Sequence, residues 1–133
     1  MKYLAHISLT LMLLFGMLAG SSAQNIEELP KLKEIKGNKL LEEVFPKKHK
    51  NELWGYANEE GKFVIKPVFN KAYPYEGKVA RVSLNEKWGT ISDLGVFVIV
   101  PIYDRFDPYS ADSLAVVLDS NLFYLIDTKG RKV

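Results

Sequence analysis

The chain contains no cysteine. That excludes a disulfide framework, a thiolate nucleophile, a thiolate metal site and acylation of an N-terminal thiol. Histidine is almost as scarce. Outside the first two dozen residues there is only His49, so any imidazole base would have to be that residue. Its setting, Lys47-Lys48-His49-Lys50, reads as a solvated basic loop with no orienting partner. An excess of one charge is missing too. With 18 basic and 16 acidic residues the chain lacks the electrostatic footprint of a nucleic-acid or anionic-membrane binder. Helical periodicity is absent after the N-terminal run. Asn25 to Ile35 offers a short helix or a tether, and Pro30 divides it.

The only long apolar stretch lies at the start. Lys2 is followed by an uncharged, mostly apolar run from Ile7 to Gly20, then by Ser21-Ser22-Ala23-Gln24. A positive n-region, an apolar h-region and small residues before a cut after Ala23 form the three-part order of a secretory signal peptide. The run is shorter than the roughly 20 apolar residues that span a bilayer, which argues against an uncleaved anchor. Residues 1–23 are therefore expected to be removed. The mature protein is then exported, periplasmic or secreted, with no membrane span, and the remainder suits one small domain. Without disulfides that domain must rely on packing, for which it has aromatic side chains in quantity.

Internal repetition dominates what is left. Trp54-Gly55, Gly61 and Pro67 recur as Trp88-Gly89, Gly95 and Pro101, each 34 residues on. The register holds to Pro74-Tyr75 and Pro108-Tyr109. One extra residue near Asp112 then shifts it to 35, so Ala80-Arg81-Val82 matches Ala115-Val116-Val117. A partial copy begins at Phe123, where Phe-Tyr replaces Trp-Gly, and Gly130 stands in the turn position of Gly95. The boundaries follow: a tether over 24–39, a β domain over 40–133, and repeats at about 54–87, 88–122 and 123–133. Leu40 to Phe45 is a candidate closing strand for an eroded copy upstream.

Each copy has strand chemistry. Trp54 to Asn58 and Lys62 to Lys66 are rich in aromatic and β-branched residues and meet at a Gly-ended turn, the pattern of a hairpin. Pro67 and Pro101 cannot donate to a ladder, so the second strand is expected to end there. Third strands are expected at Val79 to Leu84 and Leu114 to Asp119. The predicted fold is all-β: tandem three-stranded Trp-Gly repeats in a small curved antiparallel array. Trp54, Gly55, Trp88, Gly89 and Phe123 are the expected repeat core. Each Trp would stack on its counterpart in the next unit, and each Gly would let a neighbouring backbone approach. Removing Trp88 would cost about 3–5 kcal/mol if it were fully buried.

Lys87-Trp88-Gly89-Thr90-Ile91, with Gly95, Val98-Ile99-Val100-Pro101 and Tyr103-Asp104, resembles the WG-repeat (KWG-repeat) family known mostly from bacterial proteins. The first copy matches as well, with Leu53 in place of the usual Lys. The resemblance covers Leu53 to Val133 and implies a β-rich tandem array, often exported, with no catalytic motif to carry over. The third copy departs from the pattern by lacking Trp-Gly.

Nothing in the sequence composes an active site. Asp93, Asp104, Asp107, Asp112, Asp119 and Asp127 do not have the spacing of an EF-hand or RTX loop. Asp93 and Asp127 fall in turns, where Asp is favoured for local hydrogen bonding. No catalytic residue, metal ligand or cofactor is expected. The aromatics between strands are more suggestive: Phe69, Tyr73 and Tyr75, then Tyr103, Phe106 and Tyr109. Stacked repeats would align them in a row, and Tyr suits protein and sugar surfaces alike. Phe69 and Tyr103 read as core. Tyr73, Tyr75, Phe106 and Tyr109 are the candidate contacts for a protein or glycan partner. The expectation is a monomeric, non-catalytic exported binding or scaffold module. A structural or regulatory envelope module is the alternative, and a carboxylate hydrolase using Asp104 and Asp107 the third.

Overall fold

Three tight turns set the period. In the computed structural model, which describes residues 29–34 and 43–133, the amides of Gly61, Gly95 and Gly130 donate to the carbonyls of Asn58, Ser92 and Asp127 at 2.9, 2.9 and 3.0 Å. These glycines have φ of 80°, 76° and 81°, a region that disfavours any side chain. The first residue of each turn also acts through its side chain. Asn58 accepts from the amide of Lys62, Ser92 from that of Leu94, and Asp127 from those of Lys129 and Arg131.

Ten strands result, and no helix occurs among the described residues. The first sheet holds β1 (Phe45–Lys48), β2 (Trp54–Ala57) and β3 (Phe63–Phe69). The second has the order β4-β5-β6-β7: Lys71–Ala72, Val79–Leu84, Lys87–Ser92 and Phe97–Tyr103. The third holds β8 (Arg105–Phe106), β9 (Ala115–Asp119) and β10 (Leu122–Ile126). All pairings are antiparallel. The architecture is all-β, in tandem units. The sheets straddle the sequence repeat, because each Trp-bearing strand pairs backwards with the closing strand of the copy before it. The chain changes sheet at Asn70 and again at Asp104. The short strands β4 and β8 follow those crossings and were not legible in the sequence.

Of the closing strand expected over Leu40 to Phe45, the described Glu43 and Val44 lie in no strand and Phe45 opens β1, Phe45–Lys48, so Lys47 and Lys48 of the expected basic loop lie in a sheet. Pro46 is tolerated because β1 is an edge strand. Residues 29–34 form no regular structure. The apolar leader, most of the 24–39 segment and residues 40–42 lie outside the described residues.

Nor do the second strands stop at their prolines. β3 runs through Pro67 and β7 through Pro101. Two register shifts separate Trp54↔Phe69 from Tyr56↔Ile65 and Tyr56↔Ile65 from Ala57↔Phe63, and the second hairpin repeats both. The surplus residues bulge out of the ladder, which removes the need for a proline N–H. The bulged backbone presses on the glycine opposite. A Cβ on Gly55 would lie 2.3 Å from the Ile65 carbonyl oxygen and 2.8 Å from the Pro67 nitrogen. The close approach is thus within one hairpin rather than between repeats.

The sheets stack in chain order around two apolar clusters. Tyr56, Ile65 and Phe69 of the first sheet meet Ala80, Val82, Leu84 and Ile91 of the second. Ile99 and Tyr103 of the second meet Phe106, Ala115, Val117 and Ile126 of the third. The second sheet is therefore covered on both faces. Trp54 and Trp88 are half-buried at the margins of these clusters, and Trp88 stacks on Tyr73 at 5.4 Å. Phe123 is 62 % exposed and does not belong to the core. The largest fully buried side chains are instead Tyr56 and Phe69.

Candidate functional site

The loop between β4 and β5 carries Tyr73 and Tyr75, and the structure separates them. Tyr75 is half-buried, packs on Tyr56 at 5.2 Å between ring centroids and donates its hydroxyl proton to the Ser92 carbonyl at 2.7 Å. Burial raises its pKa well above the ordinary phenol range, and the Asp93 carboxylate adds to the effect. Tyr73 is 43 % exposed. Its carbonyl accepts from the Tyr56 hydroxyl at 2.6 Å, its ring stacks on Trp88, and the Arg81 guanidinium lies 4.3 Å from its centroid.

Arg81 was not singled out from the sequence, yet it is 7 % exposed and ties three elements together. Its Nε donates to Glu76 at 3.0 Å and its Nη1 to the Phe106 carbonyl at 2.9 Å, joining the second sheet to the third. A charged donor satisfied in this way rigidifies the stack beneath Tyr73. Only its position on the inward-facing side of β5 could have revealed it, and that side is not apparent without the stack.

The second loop differs. Phe106 is 5 % exposed and sits in the second cluster, so it offers no contact surface; the sequence reading of it as a partner residue is corrected. Its alternation in β8 points it inward, opposite Val117. Tyr109 is half-buried against Phe106, and its hydroxyl is buried without a protein partner. Burial is the main cause of a pKa pushed up to about 12.

A groove of about 310 Å³ opens beside Tyr75. One wall is Glu43, Val44 and Phe45, leading into β1. The other is Pro74, Tyr75 and Gly77, and Asp93 of the β6–β7 turn closes it. It thus combines aromatic and apolar walls with two carboxylates. Strand register puts Lys78 and Thr128 at the positions equivalent to Glu43 and Asp93 one unit on.

The other candidate groups are engaged locally. Asp104 accepts from the Lys87 ammonium, which holds its carboxyl below the usual carboxylate range, and Asp107 pairs with Arg105 at 2.7 Å. Asp127 is likewise lowered, chiefly by the Arg131 amide. His49 accepts from the Asn51 amide at 3.4 Å and packs edge-on against Phe63. No group of three or more His, Asp or Glu among the described residues is placed to hold a metal ion.

Stacked antiparallel sheets built from hairpins with matched turns, bulges and glycines define a tandem β-repeat protein. The WG containing repeat matches residues 54–88 and 88–122, just over half of the chain. The chain belongs to that family. No curated protein and no solved structure matches it.

Proposed function

We propose that this repeat protein is an exported, non-catalytic binding module that holds a Lys- or Arg-bearing protein segment in the groove beside Tyr75. The observation that carries the reading is the pairing of Glu43 and Asp93 with Phe45, Pro74 and Tyr75 around one opening. Carboxylates attract and orient a cation, while aromatic and proline faces cover the apolar stem of a long basic side chain. The non-catalytic reading is supported by the local engagement of His49, Asp104 and Asp107. Export rests on the N-terminal leader pattern, with Gln24 as the expected first residue of the mature chain.

The purified protein would be titrated with basic and neutral peptide libraries and spotted on a glycan array. Basic peptides should bind, more weakly as salt rises, and Asp93→Asn or Glu43→Gln should each lower affinity at least fivefold. Binding confined to glycans, or basic-peptide binding indifferent to both substitutions, would sink the reading.

A further inference from the structure

One wall of the groove beside Tyr75 is a short loop, and a loop whose shape is set beforehand gives up less freedom on binding. We infer that Arg81 is the positioning residue of that wall: it holds the β4–β5 loop in its groove-forming shape by gripping Glu76. The inference rests on the binding role proposed for the groove and adds what keeps the groove ready.

Pro74, Tyr75 and Gly77 line the groove, whereas Glu76, set among them, does not. Its carboxylate accepts instead from the Arg81 Nε at 3.0 Å. The two side chains of this ion pair are 8 % and 31 % exposed, so water screens it far less than a surface pair. Three further contacts join the loop to β5. The Tyr73 amide donates to the Arg81 carbonyl at 3.0 Å, and the Glu76 amide donates to the Val79 carbonyl at 2.8 Å. The Arg81 guanidinium also lies 4.3 Å from the Tyr73 ring centroid.

Arg81 is itself held from a second direction. It is buried, and its Nη1 donates to the Phe106 carbonyl of the third sheet at 2.9 Å. A planar guanidinium makes both bonds at fixed angles, which a single ammonium does not reproduce. The loop is thus braced on the third sheet as well as on its own hairpin.

Ladder register shows that this brace is not a general property of the repeat. The pair Arg81↔Thr90 corresponds to Pro46↔Tyr56 in the first sheet and to Val116↔Leu125 in the third. Neither Pro46 nor Val116 has a side-chain donor. Thr90 also replaces the much larger Tyr56, and it is buried opposite Arg81, where the smaller side chain leaves the guanidinium room.

The rival account is that Arg81 only joins two sheets and that Glu76 matters through its charge. Two substitutions separate position from charge. Glu76→Ala and Glu76→Gln remove the same charge, but Gln keeps an oxygen that can accept from the Arg81 Nε. The basic peptide that binds best in the library titration should bind Glu76→Ala about fivefold more weakly than Glu76→Gln. In an Arg81→Met background that difference should vanish, because the donor that grips position 76 is gone. Amide exchange without peptide gives a second readout. The amide of residue 76, corrected for its side chain, should exchange about tenfold faster in Glu76→Ala than in Glu76→Gln, while the β9 amides keep their rates.

Equal affinities or equal exchange in the two Glu76 variants would overturn the inference. So would a difference that persists in the Arg81→Met background. Should Arg81→Met fail to fold, the two Glu76 variants still decide. If no basic peptide binds any form of the protein, the proposed function falls, and amide exchange then decides by itself whether Arg81 braces the loop.

Discussion

The carbonyl oxygen of Ile99 lies 2.2 Å from where Gly89 would carry a Cβ, and the nitrogen of Pro101 lies 2.8 Å from it. Gly89 and Pro101 are therefore two halves of one device. Pro101 sits in a bulge that needs no N–H donor, and the bulge is pressed into the space that Gly89 leaves open. The same relation holds between Gly55 and Pro67, which explains why the two residue types recur at fixed separation.

Gly89→Ala should destabilise the fold by about 3 kcal/mol, the upper end of ordinary overpacking, because the obstructing atoms are backbone. Urea melts of wild type and variant would show it. A loss under about 1 kcal/mol would mean that the bulge can retreat at little cost.

Trp88→Ala should cost about 2–3 kcal/mol, less than the 3–5 of a fully buried aromatic, because the indole is half-buried. Its loss also uncovers Tyr73, which stacks on it. Equilibrium unfolding reports the energy, and a change in Tyr fluorescence reports the uncovering. A Phe123→Ala variant should lose far less, because its ring is mostly solvated.

Glu86→Gly should stabilise the protein by about 0.5–1 kcal/mol. Asn85 and Glu86 link β5 to β6 with φ of 48° and 65°, the left-handed pair of a two-residue hairpin turn. Glycine relieves the side-chain strain at Glu86, partly offset by a more flexible unfolded chain. Thermal melts should show the midpoint rise, and a fall would refute the assignment of strain.

Stability should decline as pH rises above about 10. Burial raises the pKa of Tyr56, Tyr75 and Tyr109 in the fold above the ordinary 10.0. Each folded-state hydroxyl thus keeps its proton after an unfolded one would release it. Their contribution is complete below the unfolded value and is lost as pH climbs towards the folded ones. Phenolate absorbance from these residues should accompany loss of β circular dichroism. A buried Tyr that ionises near pH 10 with the fold intact would contradict the packing. At the acid end the sign reverses for Asp127. Its lowered pKa means that its support for the last turn is present above the ordinary carboxylate value and fades as pH falls through the folded one.

Turn chemistry and β-branched alternation were readable residue by residue. Gly61, Gly95 and Gly130 marked the turns, and Val79–Leu84 was placed to the residue. Local steric and hydrogen-bonding rules act over a few residues, so they survive in a linear pattern. The prolines misled because a bulge is a property of two strands, not one. Phe106 and Phe123 were assigned the wrong surroundings for a related reason. Which side of a strand is covered depends on the sheet that stacks against it.

The sequence by itself determined the family, the period, the hairpins and the glycine-proline spacing, since each is fixed by what neighbouring backbone can sterically do. Tertiary structure alone decided that the sheets straddle the repeats, that Tyr56 and Phe69 rather than the tryptophans fill the core, and that Arg81 joins two sheets. It also brought Glu43 and Asp93, distant in sequence, to one groove, and left the Phe123 ring exposed. Burial is set by what packs opposite a side chain, and packing of sheet on sheet has no local signature.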